Sequence, residues 1–364
     1  IFTRARMGLT FSQHKNSSFR NINCLDENIE FNDEIDSVNS NNQAQLILES
    51  QEFYNTNPGP FEELQKVIRD LSPNPIEGLK FVSNLPVNDN IQVALNWSYS
   101  NEASTKFHPT LNFAGEKQTR YFERTPMGAV EVDGDKNFGL TLIHYLSKDI
   151  RLKMQLQNKG LFVENVDYNF LYYGKSYTAA ASLINPSLTS LSCVFVSQFL
   201  KRITTNIDVG AEIAIQLLDG RPNLFVPTFA VKYTHGINPH HGKNGNGILS
   251  NLNIEPKGSA LGLFGSKLVH LSYHRFVAPG LQFLSMYDYS PEGPIPNLTS
   301  FGYSYNLHKL GMNIRASFDS TMTVQSVMEK NFTHGDSGWS FLVSLAHNFP
   351  SNRTITGIGL TIGK

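Results

Sequence analysis

Ile203-Thr204-Thr205-Asn206-Ile207-Asp208-Val209-Gly210-Ala211-Glu212-Ile213-Ala214-Ile215-Gln216-Leu217 is the stretch that decides the fold. Ile203, Ile207, Val209, Ala211, Ile213, Ile215 and Leu217 share one face. Thr204, Asn206, Asp208, Glu212 and Gln216 share the other. A period of two marks a strand with one apolar and one polar side. Strands of globular sheets usually stop after about 5–6 residues. A strand tilted across a bilayer needs about 9–11.

The same alternation recurs along the chain. Over 91–99 it places Ile91, Val93, Leu95, Trp97 and Tyr99 on one side, and over 150–157 Ile150, Leu152, Met154 and Leu156. Over 299–308 it places Phe301, Tyr303 and Tyr305 together, and over 310–319 Leu310, Met312, Ile314 and Phe318. Turn residues such as Asp133-Gly134, Asp219-Gly220 and Pro279-Gly280 separate the runs. From Ile76 to Lys364 there are 289 residues (364 − 75). Nineteen strands of ~11 residues with turns of ~4 need about 280, so strands and tight turns fill the region. His235 to Lys257, rich in Gly, Asn and His, reads as a long loop.

Lipid offers no partner to a backbone amide, so a spanning sheet must close on itself. Trp97, Tyr99, Tyr172, Tyr233 and Tyr305 fall near strand ends, as in an interfacial girdle. The expected fold is therefore all-β, a closed transmembrane β-barrel of about nineteen strands over 76–364. No apolar run approaches the ~18 residues of a membrane helix, so hydropathy alone would read the chain as soluble. Periodicity overrides that reading.

Residues 1–42 read as a polar, disordered tail. Arg4, Arg6, Lys15 and Arg20 near its start are equally compatible with an organellar transit peptide. Residues 43–75 read as a helical segment. A first helix is expected over 43–54. A second has Asn57 as its cap and Pro58 at its first position. Phe61, Leu64, Val67, Ile68 and Leu71 fall at helical spacing, and Pro73 and Pro75 end the helix. This stripe of about three turns must pack on something.

Composition bounds the function. Lys+Arg number 30 and Asp+Glu 31, a balance unlike the basic footprint of a nucleic-acid binder. Cys24 and Cys193 alone cannot make a structural zinc site. His270 and His274, four apart on a strand, stand ~13 Å apart, too far to share a metal. Gly335-Asp336-Ser337-Gly338 looks like a protease nucleophile loop but lacks the matched histidine and aspartate of that chemistry, and reads as a hairpin turn. No enzyme, metal or cofactor is expected.

Three stretches resemble one family. They are Asn57-Pro58-Gly59-Pro60-Phe61-Glu62-Glu63-Leu64 with Ile76-Glu77-Gly78-Leu79-Lys80, the span from Asp167-Tyr168 through Tyr177-Thr178-Ala179-Ala180 to Asn185-Pro186, and the ending Gly357-Ile358-Gly359-Leu360-Thr361-Ile362-Gly363. Together they resemble the pore subunit of the mitochondrial outer-membrane protein translocase, over roughly 55–364. The resemblance implies a nineteen-stranded barrel related to the voltage-dependent anion channel, its first and last strands parallel, with the second helix inside the pore. Gly357, Leu360 and Ile362 match the sorting signal of such barrels, while Ile355 stands where a polar residue is usual. The basic start is then not a cleaved presequence, because such barrels carry their address in the last strand.

The function implied is a channel importing unfolded mitochondrial precursors across the outer membrane. The implied partners are presequences, receptors and small helical membrane subunits, further copies of the chain within a complex, and the bilayer. Asp167, Asp208, Glu212 and Glu329 are the candidates for guiding basic presequences through the lumen, by weak, screened attraction. Phe61, Leu64 and Ile68 are the candidates for docking the inner helix. An anion-channel-type metabolite pore is the alternative, kept open by Arg151, Lys153 and Arg315 on polar faces. A soluble β-rich binding protein is a third reading.

Overall fold

The computed structural model describes residues 56–100, 105–119, 123–134, 137–160, 162–187, 191–236, 257–290, 297–334 and 337–363. The tail expected over 1–42 and the helix expected over 43–54 lie outside the described residues, as does most of the 235–257 loop.

Nineteen strands form one sheet. In chain order they are β1 (Gly78–Asn88), β2 (Ile91–Tyr99), β3 (Lys106–Gln118), β4 (Arg124–Val132), β5 (Phe138–Tyr145), β6 (Ile150–Lys159), β7 (Phe162–Tyr173), β8 (Tyr177–Ser187), β9 (Ser192–Thr204) and β10 (Ile207–Leu218). There follow β11 (Arg221–His235), β12 (Gly258–Gly265), β13 (Val269–Ala278), β14 (Leu281–Tyr289), β15 (Leu298–Leu307), β16 (Met312–Asp319), β17 (Thr323–His334), β18 (Ser337–Asn348) and β19 (Arg353–Ile362). Each pairs antiparallel with the next. The sheet closes where β1 meets β19 in parallel, from Gly78↔Gly357 to Ser83↔Ile362. Closure leaves no edge, which is what hydrocarbon demands of a spanning sheet.

The apolar faces point outward. Phe229 and Phe301 are each 60% exposed, and Tyr99, Tyr172, Tyr233 and Tyr305 are also exposed. A water-soluble monomer rarely shows so continuous an apolar surface, whereas lipid covers it without penalty. Many inward positions are polar or small, for example Asn84, Ala94, Thr110, Asn112 and Ser344, all buried against their neighbours.

Two sequence-level expectations are corrected. The 203–217 run is not one strand. Ile203 and Thr204 end β9, Thr205 and Asn206 make the turn, and β10 begins at Ile207. A register shift between Ile207 and Asp208 keeps the odd-numbered residues outward on both strands, so the alternation runs through the turn unbroken. Asn206 is therefore a turn residue, not a lumen wall position.

The second helix is also shorter than expected. Phe61–Glu63 form a single 3-10 turn and Lys66–Leu71 a six-residue helix, α1. Pro58 and Pro60 lack amide donors, and Gly59 sits at φ +81°, a left-handed conformation that ends helical geometry. Asn57 caps no helix.

Candidate pore lining and inner segment

Residues 57–76 run along the inner wall and are fastened to it at several places. The first fastening is Asn57, 3% exposed. Its Nδ2 donates to the Gly174 carbonyl at 2.7 Å and the Tyr177 carbonyl at 3.0 Å. Its Oδ1 accepts from Thr178 Oγ1 at 2.9 Å and from the Gly59 amide at 2.8 Å. One amide side chain thus ties the segment to the β7–β8 hairpin with its hydrogen-bonding capacity used at both ends.

The second fastening is apolar. Phe61, Leu64 and Ile68 are buried in one cluster with Leu200 of β9, Ala230 of β11, Leu261 of β12 and Leu284 of β14. These inward apolar positions of the wall lie where the segment packs. Burying a side chain of this size contributes roughly 1.5–3 kcal/mol. The opposite face leaves Glu62, Glu63, Lys66 and Arg69 exposed.

The third and fourth fastenings are polar. Arg315 Nη1 of β16 donates to the Asp70 carbonyl at 3.2 Å. At the far end Ser344 Oγ of β18 donates to the Ile76 carbonyl at 2.9 Å and accepts from the Ile76 amide at 3.0 Å. Here the chain crosses the inner side of β19 before turning into β1. A Cβ on Gly357 would stand 2.1 Å from the Ile76 carbonyl oxygen, so only glycine leaves room. Leu360 pairs with Phe81 and Phe341 on the outer face, and Ile362 is exposed there.

The four candidate guiding acids all point inward, but they differ in company. Asp208 is 2% exposed and bonded twice to Arg202, from Nε to Oδ1 at 2.7 Å and from Nη2 to Oδ2 at 3.2 Å. Lys232 lies opposite it in the β10–β11 register. Its charge is answered locally and offers little to a passing cation. Glu329 stands 3.8 Å from Arg315. Glu212 accepts from the neutral Gln198 amide at 2.6 Å. Asp167 is half-buried beside the Lys153–Asn169 pair of β6 and β7, and its Oδ1 has no hydrogen-bond partner among the described residues.

Arg151 and His270 are likewise answered. Arg151 Nε lies 3.6 Å from Glu123, which also accepts from Tyr145 Oη at 2.6 Å. His270 Nδ1 is 2.5 Å from Asp288 Oδ1, so a carboxylate accompanies this histidine. His274 bonds Gln282 instead, and no group of metal ligands occurs among the described residues. Gly335 and Asp336 lie outside the described residues, and the strands beside them pair as a hairpin.

Asn57, Gln198, Arg202 and Ser344 were not found by sequence reasoning. Only Asn57 left a signal, its place in a resembling motif, and that was read as a cap.

Residues 57–354 match the eukaryotic porin family. The chain is 26% identical over 315 residues to the protein of Xenopus tropicalis named mitochondrial import receptor subunit TOM40 homolog, covering 86% of this chain and 87% of that one. It is 26% identical over 307 residues to the human protein of that name, covering 84% and 78%. The Caenorhabditis elegans protein of that name is 28% identical over 318 residues, covering 85% and 95%. A closed nineteen-stranded barrel with an inner segment, matched over most of its length, places the chain in the eukaryotic porin family as a β-barrel of the mitochondrial outer membrane.

Proposed function

We propose that this barrel is the protein-conducting pore through which unfolded mitochondrial precursors cross the outer membrane. The Asn57 latch carries the reading. It joins Asn57-Pro58-Gly59-Pro60 to Tyr177-Thr178, so two stretches whose sequences separately resemble the translocase pore meet in one tertiary contact of this chain. The names of the relatives support the same reading.

In this reading the lumen does not hold its passenger by a strong acidic surface. Asp208 and Glu329 serve the wall through Arg202 and Arg315. Asp167 and Glu212 are left to attract basic presequences, weakly enough for release. Receptors, small helical membrane subunits and further copies of the chain are its partners in the bilayer. An anion-selective metabolite pore is less favoured, because Arg151 and Arg315, two of the three bases that suggested it, face carboxylates.

The test is replacement of the resident pore subunit by this chain in mitochondria, followed by import of a labelled presequence protein. Restored import of the precursor with normal outer-membrane insertion is expected. Insertion and metabolite flux without import would overturn the proposal.

A further inference from the structure

The inner segment brings its own acids into the lumen. Five residues beyond the Asn57 latch, the exposed Glu62 places Oε1 3.5 Å from Asn169 Nδ2. Asn169 lies opposite Lys153 in the β6–β7 register. Glu62 is thus held over the part of the wall that carries Lys153. Lys153 points into the lumen and enters none of the ion pairs among the described residues, unlike Arg151, Arg202 and Arg315. The backbone that carries Glu62 is constrained. Pro58 and Pro60 fix the backbone before Glu62, and the buried Phe61 and Leu64 flank it.

We propose that Glu62 is a selectivity-determining residue of the pore, set by the inner segment against Lys153 so that this lysine does not draw anions. The proposal rests on the pore reading above and adds a residue to it. A lone lysine in a water-filled lumen acts on ions within a Debye length, ~8 Å at physiological salt. A carboxylate fixed beside it cancels that field for a passing ion. Asp167 and Glu212, which have no cation bonded to them among the described residues, then set the sign of what is left. The preference between a cation and an anion then depends on the segment as well as on the wall.

The test uses the purified full chain in a planar bilayer, with reversal potentials read across a potassium chloride gradient at low salt. Glu62→Gln keeps the size of the side chain and its contact with Asn169. It is expected to lower the potassium-to-chloride permeability ratio by roughly two- to fivefold, the range for an exposed charge pair. Lys153→Gln is expected to raise the ratio, and the double variant to return near the starting value. Glu62→Asp should keep most of the preference. In 1 M salt, where charges are screened within ~3 Å, the differences should shrink. Glu63 is already paired with Lys66 at 3.8 Å and serves as the control for charge without position. An unchanged ratio in Glu62→Gln, or an equal shift in Glu63→Gln, would overturn the proposal. Neither result depends on precursor import, so this inference and the import reading fail separately.

Discussion

Asp208 and Arg202 face each other across the β9–β10 hairpin in a two-pronged contact, 2.7 and 3.2 Å long, with Lys232 on the other side of the carboxylate. Removing one member of a buried pair strands the other charge, at a cost of about 3 kcal/mol or more. Asp208→Asn is therefore expected to destabilise the barrel rather than to slow import selectively. Thermal unfolding of the detergent-solubilised protein reads this out. Glu212→Gln, whose partner is a neutral amide, should change stability much less. Equal melting of the two variants would contradict the assignment.

The Asn57 latch can be cut without touching the barrel. Asn57→Ala removes four hydrogen bonds and leaves the Gly174 and Tyr177 carbonyls without that donor. Net contributions near 1 kcal/mol per bond predict a loss of roughly 2–4 kcal/mol confined to the segment. Protease should then cleave near residues 58–65 in a barrel that stays closed. Asn57→Asp, which keeps the acceptor and loses the donor, should lie between.

Gly357 has two separable duties. As part of the address that the resemblance implies, it would matter only to the cellular assembly machinery. As the floor beneath Ile76 it matters wherever the barrel closes. Gly357→Ala is expected to fail both in mitochondria and in refolding from denaturant into detergent micelles. Leu360→Ala, on the outer face, is expected to refold in micelles yet assemble poorly in mitochondria. Normal micelle refolding of Gly357→Ala would remove the steric role.

The faces of β10 give a fourth expectation. Ile213 is exposed on the lipid side in mid-strand, and Gln216 points inward. Ile213→Arg should cost ~2–4 kcal/mol near the bilayer midplane, and Gln216→Arg much less. Folding titrations in lipid vesicles compare the two directly.

The barrel was legible because lipid and water write opposite demands on alternate residues, and nineteen strands repeat the message. The docking stripe of Phe61, Leu64 and Ile68 was legible for the same reason in helical form, though not the length of the helix, which Gly59 and the prolines cut short. The turn at Thr205-Asn206 was hidden by the register shift that follows it, which preserves parity. With the turn hidden, Arg202 could not be seen as the partner of Asp208. Asn57 was misread because an asparagine before a proline suits a helix start equally well. What separates the readings is a hairpin more than a hundred residues away.

The parallel seam sets the order in which the molecule can be made. Gly78 and Gly357 are 279 residues apart (357 − 78), yet they are neighbours in the finished sheet. Every other strand pair can zip locally, hairpin by hairpin, while this one must wait for the last strand to be delivered. Because the Ile76 backbone lies across Gly357 on the inner side, the 57–76 segment belongs inside before that last pairing locks. Enclosure and completion are then a single event. A chain stalled short of residue 357 would be an open sheet with its plug unenclosed, a natural checkpoint at which an unfinished pore can be told from a finished one.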